Sequence, residues 1–377
     1  MIWLQFALLF LTLLIAAEAA TRLLFRRSKH HVWCPHTRLD LHIDRQALPD
    51  MNAVVRIRIN SRGERSSEPP PDSVKCCTVL VAGGSVPECY YLDQDQQWSA
   101  LLQAALNQPA ALRQLRSDAV HVGNIGRSYT CSATLDHILA HILPERTAPN
   151  IAVLMVGGND IAFWLMEGAP RERPAFGDPD DRMFGQHPRQ RFGLAPKRTA
   201  LAEAVRRWLR RKSHTAHAVR NAGARLTRVR LQRAAALRLL TTLPDTTGLV
   251  QRFERNLRLS VMRCKSRGVR VIVGIQPCCD KPQWSPEELA AFWGYCDGDP
   301  ESPLVRIFYD IHLIAELFRL LGQTCARVAK ELDVECVDMA PVLAPDLKHY
   351  YDFAHVTPLG AEVIAKRLAQ QVLQGRA

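Results

Sequence analysis

Four short segments, far apart in the chain, together hold the residue types that acyl transfer needs. They are Gly83-Gly84-Ser85, "GNIGRSY" at residues 123–129, "GGND" at residues 157–160 and "YYDFAHV" at residues 350–356. A serine hydroxyl is a poor nucleophile until a base removes its proton. His355 suits that task, because an imidazole titrates near neutrality. Asp352, three residues earlier, is close enough to fix the imidazole tautomer and to stabilise its charged form. Attack of Ser85 on an ester would create an oxyanion. The side-chain amide of Asn159 and the backbone N–H groups of Ser85 and Gly126 are the expected donors to it, each such donor being worth about 10²–10³ in rate. Glycine at 126 would let the backbone approach that oxygen with no side chain in the way.

These residues can meet only if a scaffold brings their segments to one place. Apolar runs at Thr78–Ala82, Ala119–Val122, Ile151–Val156, Val269–Ile275 and Val334–Asp338 read as strands. Helix-like stretches lie between or after them, at Gln97–Leu106, Ser132–Leu143, Leu249–Lys265, Leu313–Glu331 and Pro358–Leu373. Alternation of this kind predicts an α/β fold, a parallel sheet covered by helices on both faces. Such sheets bind ligands outside the carboxyl ends of their strands. Ser85, Gly126 and Asn159 each follow a predicted strand, and His355 stands just before the last helix, so all four are expected at one edge.

The same segments resemble the SGNH or GDSL-type hydrolases. That family is marked by a serine near the first strand, a glycine, an asparagine in Gly-x-Asn-Asp and a histidine in Asp-x-x-His. The matching positions are Ser85, Gly126, Asn159 and His355, and the resemblance covers about residues 78–163 and 249–373. It extends to "WSALLQAAL" after the serine and "GAEVIAKRL" after the histidine. It implies a flavodoxin-like three-layer α/β/α fold and the hydrolysis or transfer of acyl esters. The chain departs from the pattern in having Gly-Gly-Ser for Gly-Asp-Ser-Leu, and Ser128-Tyr129 where Ser-Gly is usual. Pro87 rules out the Gly-x-Ser-x-Gly elbow of the α/β-hydrolases.

Structural roles compete for the same residues. Ser85 and Gly126 also suit turns, Asn159 and Asp160 suit the cap of the following helix, and His355 suits a satisfied core position. The eleven cysteines are odd in number and lack the C-x-x-C spacing of a zinc site. Cys278 and Cys279 read as buried structural residues, and no motif calls for a metal or another cofactor.

Outside this core the chain divides further. Residues 1–27 read as a transmembrane anchor with a basic flank, because Met1–Ala17 carries no charge and approaches the roughly 17–25 residues of a bilayer span. The rival is a cleavable signal peptide, since Ala17-Glu18-Ala19 resembles a cleavage site. Arg22, Arg26, Arg27 and Lys29 after the span argue for a cytoplasmic body, whereas the resemblance and an envelope substrate argue for export, which is the expectation adopted. Residues 28–75 read as a stalk or linker, with an exposed strand at Ala53–Asn60 and a linker composition at Arg65–Ser73. Residues 76–377 form the hydrolase-like domain, interrupted at about 164–245 by an insertion that opens on a long loop at 170–196. From Lys197 to Arg238 thirteen Lys and Arg face the single Glu203, an excess equal to the net charge of +12 on the whole chain. Val219, Ala222, Leu226, Val229, Ala236 and Leu240 follow helical spacing there, so part of the block is expected to be an amphipathic helix. This block suits a solvated helical face, or contact with an anionic lipid surface or an acidic polymer; no nucleic-acid motif accompanies it. The overall expectation is a membrane-tethered serine esterase acting on an acylated small molecule or polysaccharide, with acetyl on carbohydrate or cell-envelope polymers foremost. An O-acyltransferase with a sugar hydroxyl as acceptor, and a catalytically silent binding module, are the alternatives.

Overall fold

A computed structural model describes residues 2–170, 181–188, 192–215 and 218–375. The side chains of Arg207 and of residues 210–220 lie outside the described set, as does much of the expected loop at 170–196. The chain opens with α1 (Ile2–Arg26), β1 (Arg38–Ile43), β2 (Val54–Arg58), β3 (Cys76–Gly83) and the short α2 (Ser85–Glu88). It continues through α3 (Trp98–Leu106), α4 (Pro109–Leu115), β4 (Ala119–Asn124), α5 (Ser132–Ile142), β5 (Ile151–Met155) and α6 (Gly158–Met166). The insertion supplies α7 (Ala200–Thr215), β6 (Ala218–Ala222), α8 (Ala224–Ala234) and β7 (Arg238–Leu240). Then follow α9 (Thr247–Lys265), β8 (Arg270–Ile275), α10 (Pro286–Ala291), β9 (Ile307–Tyr309), α11 (Ile311–Glu331), β10 (Glu335–Asp338) and α12 (Pro358–Gln374).

The central sheet has the order β10-β8-β5-β3-β4, and every pairing in it is parallel. Renumbered along this sheet alone, the order is 2-1-3-4-5, the flavodoxin-like arrangement whose switch point lies between its first and third strands. Here those strands are β3 and β5. The reason is visible in their composition: Ile151–Met155 is apolar throughout and buried throughout, as a strand covered on both faces must be. Helices α3, α4 and α12 pack on one another in one layer, and α5, α6, α9 and α11 in another.

One expectation fails at the periphery. Residues 28–75 are not a detached stalk. β1 pairs antiparallel with β2 and parallel with β6, and Leu41, Val55 and Ile57 are buried in the main core. The linker-like segment also covers the free edge of β4: the Arg65 N–H donates to the Asn124 carbonyl at 2.8 Å and the Ser66 hydroxyl to that of Val122 at 2.8 Å. An uncovered edge would expose a row of unpaired backbone groups. The helix expected in part of Val219–Leu240 is present, flanked by strands: residues 218–222 pair with β1 and residues 238–240 with β9. Only α8 between them is helical, and it buries Leu226 and Val229.

Arg65 shows why the segment cannot be loose. Its side chain is almost wholly buried and donates to the carbonyls of Glu88 and Cys89, both at 2.7 Å, and of Leu92 at 2.5 Å. These carbonyls close the turn that follows α2. Arg65→Met would leave them without that donor, and each unsatisfied buried group costs about 1–3 kcal/mol. The expected result is a loss of about 3 kcal/mol or more in stability, read as a lowered urea midpoint of the detergent-solubilised protein by circular dichroism. An unchanged midpoint would refute this clamp.

Candidate active site

β3 ends on Gly83, Gly84 stands at the N-cap of the α2 turn, and Ser85 is the first residue of that turn. Gly84 is needed for a close approach: a Cβ there would stand 2.9 Å from the Asn159 amide nitrogen and 3.2 Å from the Thr130 carbonyl. At the far end of the chain, residues 350–356 form a tight loop. Tyr350 and Val356 make an antiparallel bridge, and the Tyr351 N–H donates to the His355 carbonyl at 3.0 Å. This loop carries Asp352 and His355 to the serine. His355 Nε2 lies 2.7 Å from Ser85 Oγ, and His355 Nδ1 lies 2.8 Å from Asp352 Oδ2 and 2.9 Å from Oδ1. A carboxylate can only accept, so Nδ1 carries the proton and Nε2 is left to accept from the serine hydroxyl.

The electrostatics follow from burial. Asp352 is 2% exposed. Burial alone would raise its pKa, but the His355 charge, the His355 hydrogen bond and the amides of Ala354 and His355 hold it below its ordinary value. For His355, burial pulls downward, and the Asp352 charge and hydrogen bond outweigh it, so the pKa is raised. Asp352 has one more donor that the sequence did not suggest: the Trp293 indole N–H at 2.7 Å. The rings of Trp293 and Tyr351 also lie nearly parallel to the His355 ring, at 7° and 12°. No motif marks Trp293, because it stands in a loop whose path is set by tertiary packing.

The oxyanion donors divide. Asn159 lines the same cavity as Ser85, and its amide donates to the Thr130 carbonyl at 3.0 Å. The Gly126 N–H, in contrast, donates to the Asn124 side-chain oxygen at 2.8 Å. Gly126 serves packing instead: a Cβ there would meet the Glu88 nitrogen at 2.7 Å and Pro87 carbon atoms at 2.8 Å. The structure thus commits the backbone donor expected at 126 to another acceptor. Asp160 caps a helix, but not its own. Its carboxylate accepts from the Ser132 N–H at the start of α5, at 2.9 and 3.1 Å, and burial raises its pKa to about 6. Glu88, buried three residues after Ser85, accepts from the Ser128 N–H at 2.6 Å and from its hydroxyl. Cys278 and Cys279 are buried, and burial pushes the Cys279 thiol up to about 12.

The cavity at Ser85 has a volume of about 580 Å³ and is walled by Tyr91, Tyr129, Phe163, Trp293 and Tyr295. The basic insertion supplies part of its rim. Arg225, Leu226 and Val229 of α8 line it. The Arg225 guanidinium lies over the Trp293 ring at 5.7 Å and donates to Glu301 at 2.8 Å and to the Tyr129 hydroxyl at 3.0 Å. Arg230 donates to the Tyr351 carbonyl at 2.7 Å, one residue before Asp352, and to those of Ala47 and Ala291.

No family model matches the sequence, and no curated protein matches it. Among solved structures, the chain is similar to an acetylxylan esterase, Axe2, from Geobacillus stearothermophilus in a catalytic-mutant form, with 12% identity over 79% of this chain and 94% of that one and a TM-score of 0.42. It is also similar to an alpha/beta hydrolase enzyme from the metagenome of Lake Arreo, Spain, with 14% identity over 79% and 97% and a TM-score of 0.42. A putative lipolytic protein of the G-D-S-L family from Desulfitobacterium hafniense DCB-2 shares 12% identity over 78% and 98%, with a TM-score of 0.37. Likeness of this degree leaves the chemistry to the chain's own side chains.

The charge arrangement predicts a titration. The His355 imidazole, identified by its disappearance in His355→Gln, should titrate in NMR spectra above the ordinary value of about 6.5. Asp352→Asn removes the carboxylate and leaves burial, so the midpoint should then fall below that of the parent protein. A midpoint that ignores Asp352→Asn would contradict the pairing.

Proposed function

We propose that the protein is a membrane-tethered serine esterase. Ser85 acts as nucleophile, His355 as general base and then general acid, and Asp352 as the carboxylate that orients and stabilises the imidazolium. The observation that carries this reading is the continuous hydrogen-bond chain from Ser85 Oγ through His355 to the buried Asp352. In the first step the serine oxygen bonds to the acyl carbon as its proton passes to His355 Nε2. The tetrahedral intermediate collapses when His355 returns that proton to the departing alcohol. Water, deprotonated by His355, then attacks the acyl carbon; the bond to Ser85 Oγ breaks as His355 returns the proton to that oxygen, and the carboxylic acid leaves. The Asn159 amide and the Ser85 N–H are the proposed oxyanion donors; Gly126 is left out because its N–H is committed elsewhere.

For substrate, we infer an acyl ester, acetyl foremost, of a carbohydrate or an envelope polymer. The aromatic walls of the cavity support a flat, partly apolar ligand face beside the reacting ester. Transfer to a sugar hydroxyl is the second reading, because His355 can deprotonate either acceptor. Retention of α1 as the tether is part of the proposal. Cleavage after Ala19 would remove Glu18, whose carboxylate accepts from the Ala200 and Leu201 N–H groups, both at 2.9 Å, and pairs with Arg22 at 2.7 Å.

With an aryl acetate as substrate, Ser85→Ala and His355→Ala should each lose at least about 10³-fold in kcat/KM, and the double variant should be little worse than either. Asp352→Ala should be milder. In the parent enzyme the rate should fall as pH drops through the raised His355 pKa, since only neutral imidazole can act as base. Adding acetyl-accepting sugars would partition product between acetate and acetylated sugar, separating hydrolase from transferase. More than a tenth of activity surviving in Ser85→Ala, or additive losses in the double variant, would overturn the assignment.

A further inference from the structure

α7 carries an apolar face on the outside of the protein. Val205, Trp208 and Leu209 are 54%, 53% and 52% exposed, whereas Ala200 and Glu203 on the same helix are buried. Positions i, i+3 and i+4 fall on one side of a helix, so the three form a single exposed patch. The sequence between and after them supplies Arg206, Arg207, Arg210, Arg211 and Lys212. A helix with a strong apolar face, a Trp on that face and a basic remainder is the pattern of segments that lie in the plane of a membrane interface.

The position of α7 relative to α1 makes the same point independently. The Glu18 carboxylate accepts from the backbone N–H groups of Ala200 and Leu201, both at 2.9 Å, and so caps the first turn of α7. Arg22 pairs with the same carboxylate at 2.7 Å. α1 is exposed along its apolar length and is the one described helix apolar and long enough to cross a bilayer. A span of roughly 20 residues that starts at its beginning ends near Arg22. Glu18 and Arg22 then stand at the level of the lipid headgroups, and the start of α7 is bonded there.

We propose that α7 is an in-plane interface helix. Its Val205–Trp208–Leu209 face enters the headgroup–acyl boundary of the bilayer that α1 crosses. The inference rests on the reading of α1 as a membrane span. It places the tether, the capped α7 and the strand β6 that follows it in one continuous path from bilayer to body.

The test uses the full-length protein in nanodiscs of phosphatidylcholine and phosphatidylglycerol, with and without lipids brominated near the upper acyl chain. Subtracting the emission of Trp208→Phe or of Trp3→Phe from that of the parent protein isolates each indole; Trp3 is 86% exposed on α1. Bromine should remove most of the Trp3 emission and most of the Trp208 emission. If Trp3 is quenched and Trp208 is not, α1 spans the bilayer and the proposal for α7 is wrong. A blue-shifted but unquenched Trp208 would also refute it, by assigning the patch to a protein partner such as a second copy. If neither is quenched, the membrane reading of α1 falls first and that of α7 with it.

Discussion

A charged carboxylate buried at the mouth of the central sheet is the constraint from which most of this site follows. Asp352 is removed from water, and an uncompensated ion there would cost several kcal/mol. Its oxygens are instead met by two backbone amides, an indole N–H and the His355 imidazole. Hydrogen bonds to a charged group are worth about 1.5–3 kcal/mol each, so this set can hold the ion in place. The loop 350–356 must close tightly to bring two amides to one oxygen. Trp293 must reach in from a loop some sixty residues earlier in the chain. The imidazole must turn Nδ1 inward, which leaves Nε2 directed at Ser85. A proton-accepting nitrogen beside a serine is therefore the outward consequence of satisfying a buried charge.

The basic residues take on a second meaning in this setting. The excess of Lys and Arg between residues 197 and 238 suggests a field acting on distant anions. Yet Arg225, Arg230 and Arg233 act at short range, spanning backbone carbonyls and aromatic faces around the cavity. Arg233 bonds the carbonyls of Gly294 and Tyr309 and lies over the Phe308 ring, and burial lowers its pKa to about 10. Arg230 braces the backbone beside Asp352, and Arg65 does the same for the turn after Ser85. A planar guanidinium with several donors suits the joining of loops that lack a shared strand. α7 divides from this group, since its Val205, Trp208 and Leu209 side chains face outward and its first turn is held by Glu18.

Much of the core was legible because parallel strands are apolar on both faces and end where ligands bind. All five strand runs and all five helical stretches of the core occur within a few residues of their expected limits. Ser85, Asn159, Asp352 and His355 come to one cavity, because each stood at a strand end or beside a helix start. What escaped depends on partners distant in sequence. Arg65 looked like part of a linker, since the carbonyls that bury it lie more than twenty residues on. The amide of Gly126 looked available, since nothing in "GNIGRSY" shows that Asn124 folds back to accept from it. Trp293 has no neighbouring signal at all. In the insertion, helical spacing marked α8, but not that β1 and β9 recruit its two flanks as strands.

The account turns on Ser85 being a nucleophile that His355 activates. The most direct test treats the full-length protein with a fluorophosphonate, which bonds to an activated serine with loss of fluoride, and maps the adduct by mass spectrometry of its peptides. The account predicts one adduct per chain, on Ser85, with labelling strongly slowed in His355→Ala. Absence of an adduct from the folded protein, attachment to another residue, or labelling of Ser85 at an unchanged rate in His355→Ala would contradict it.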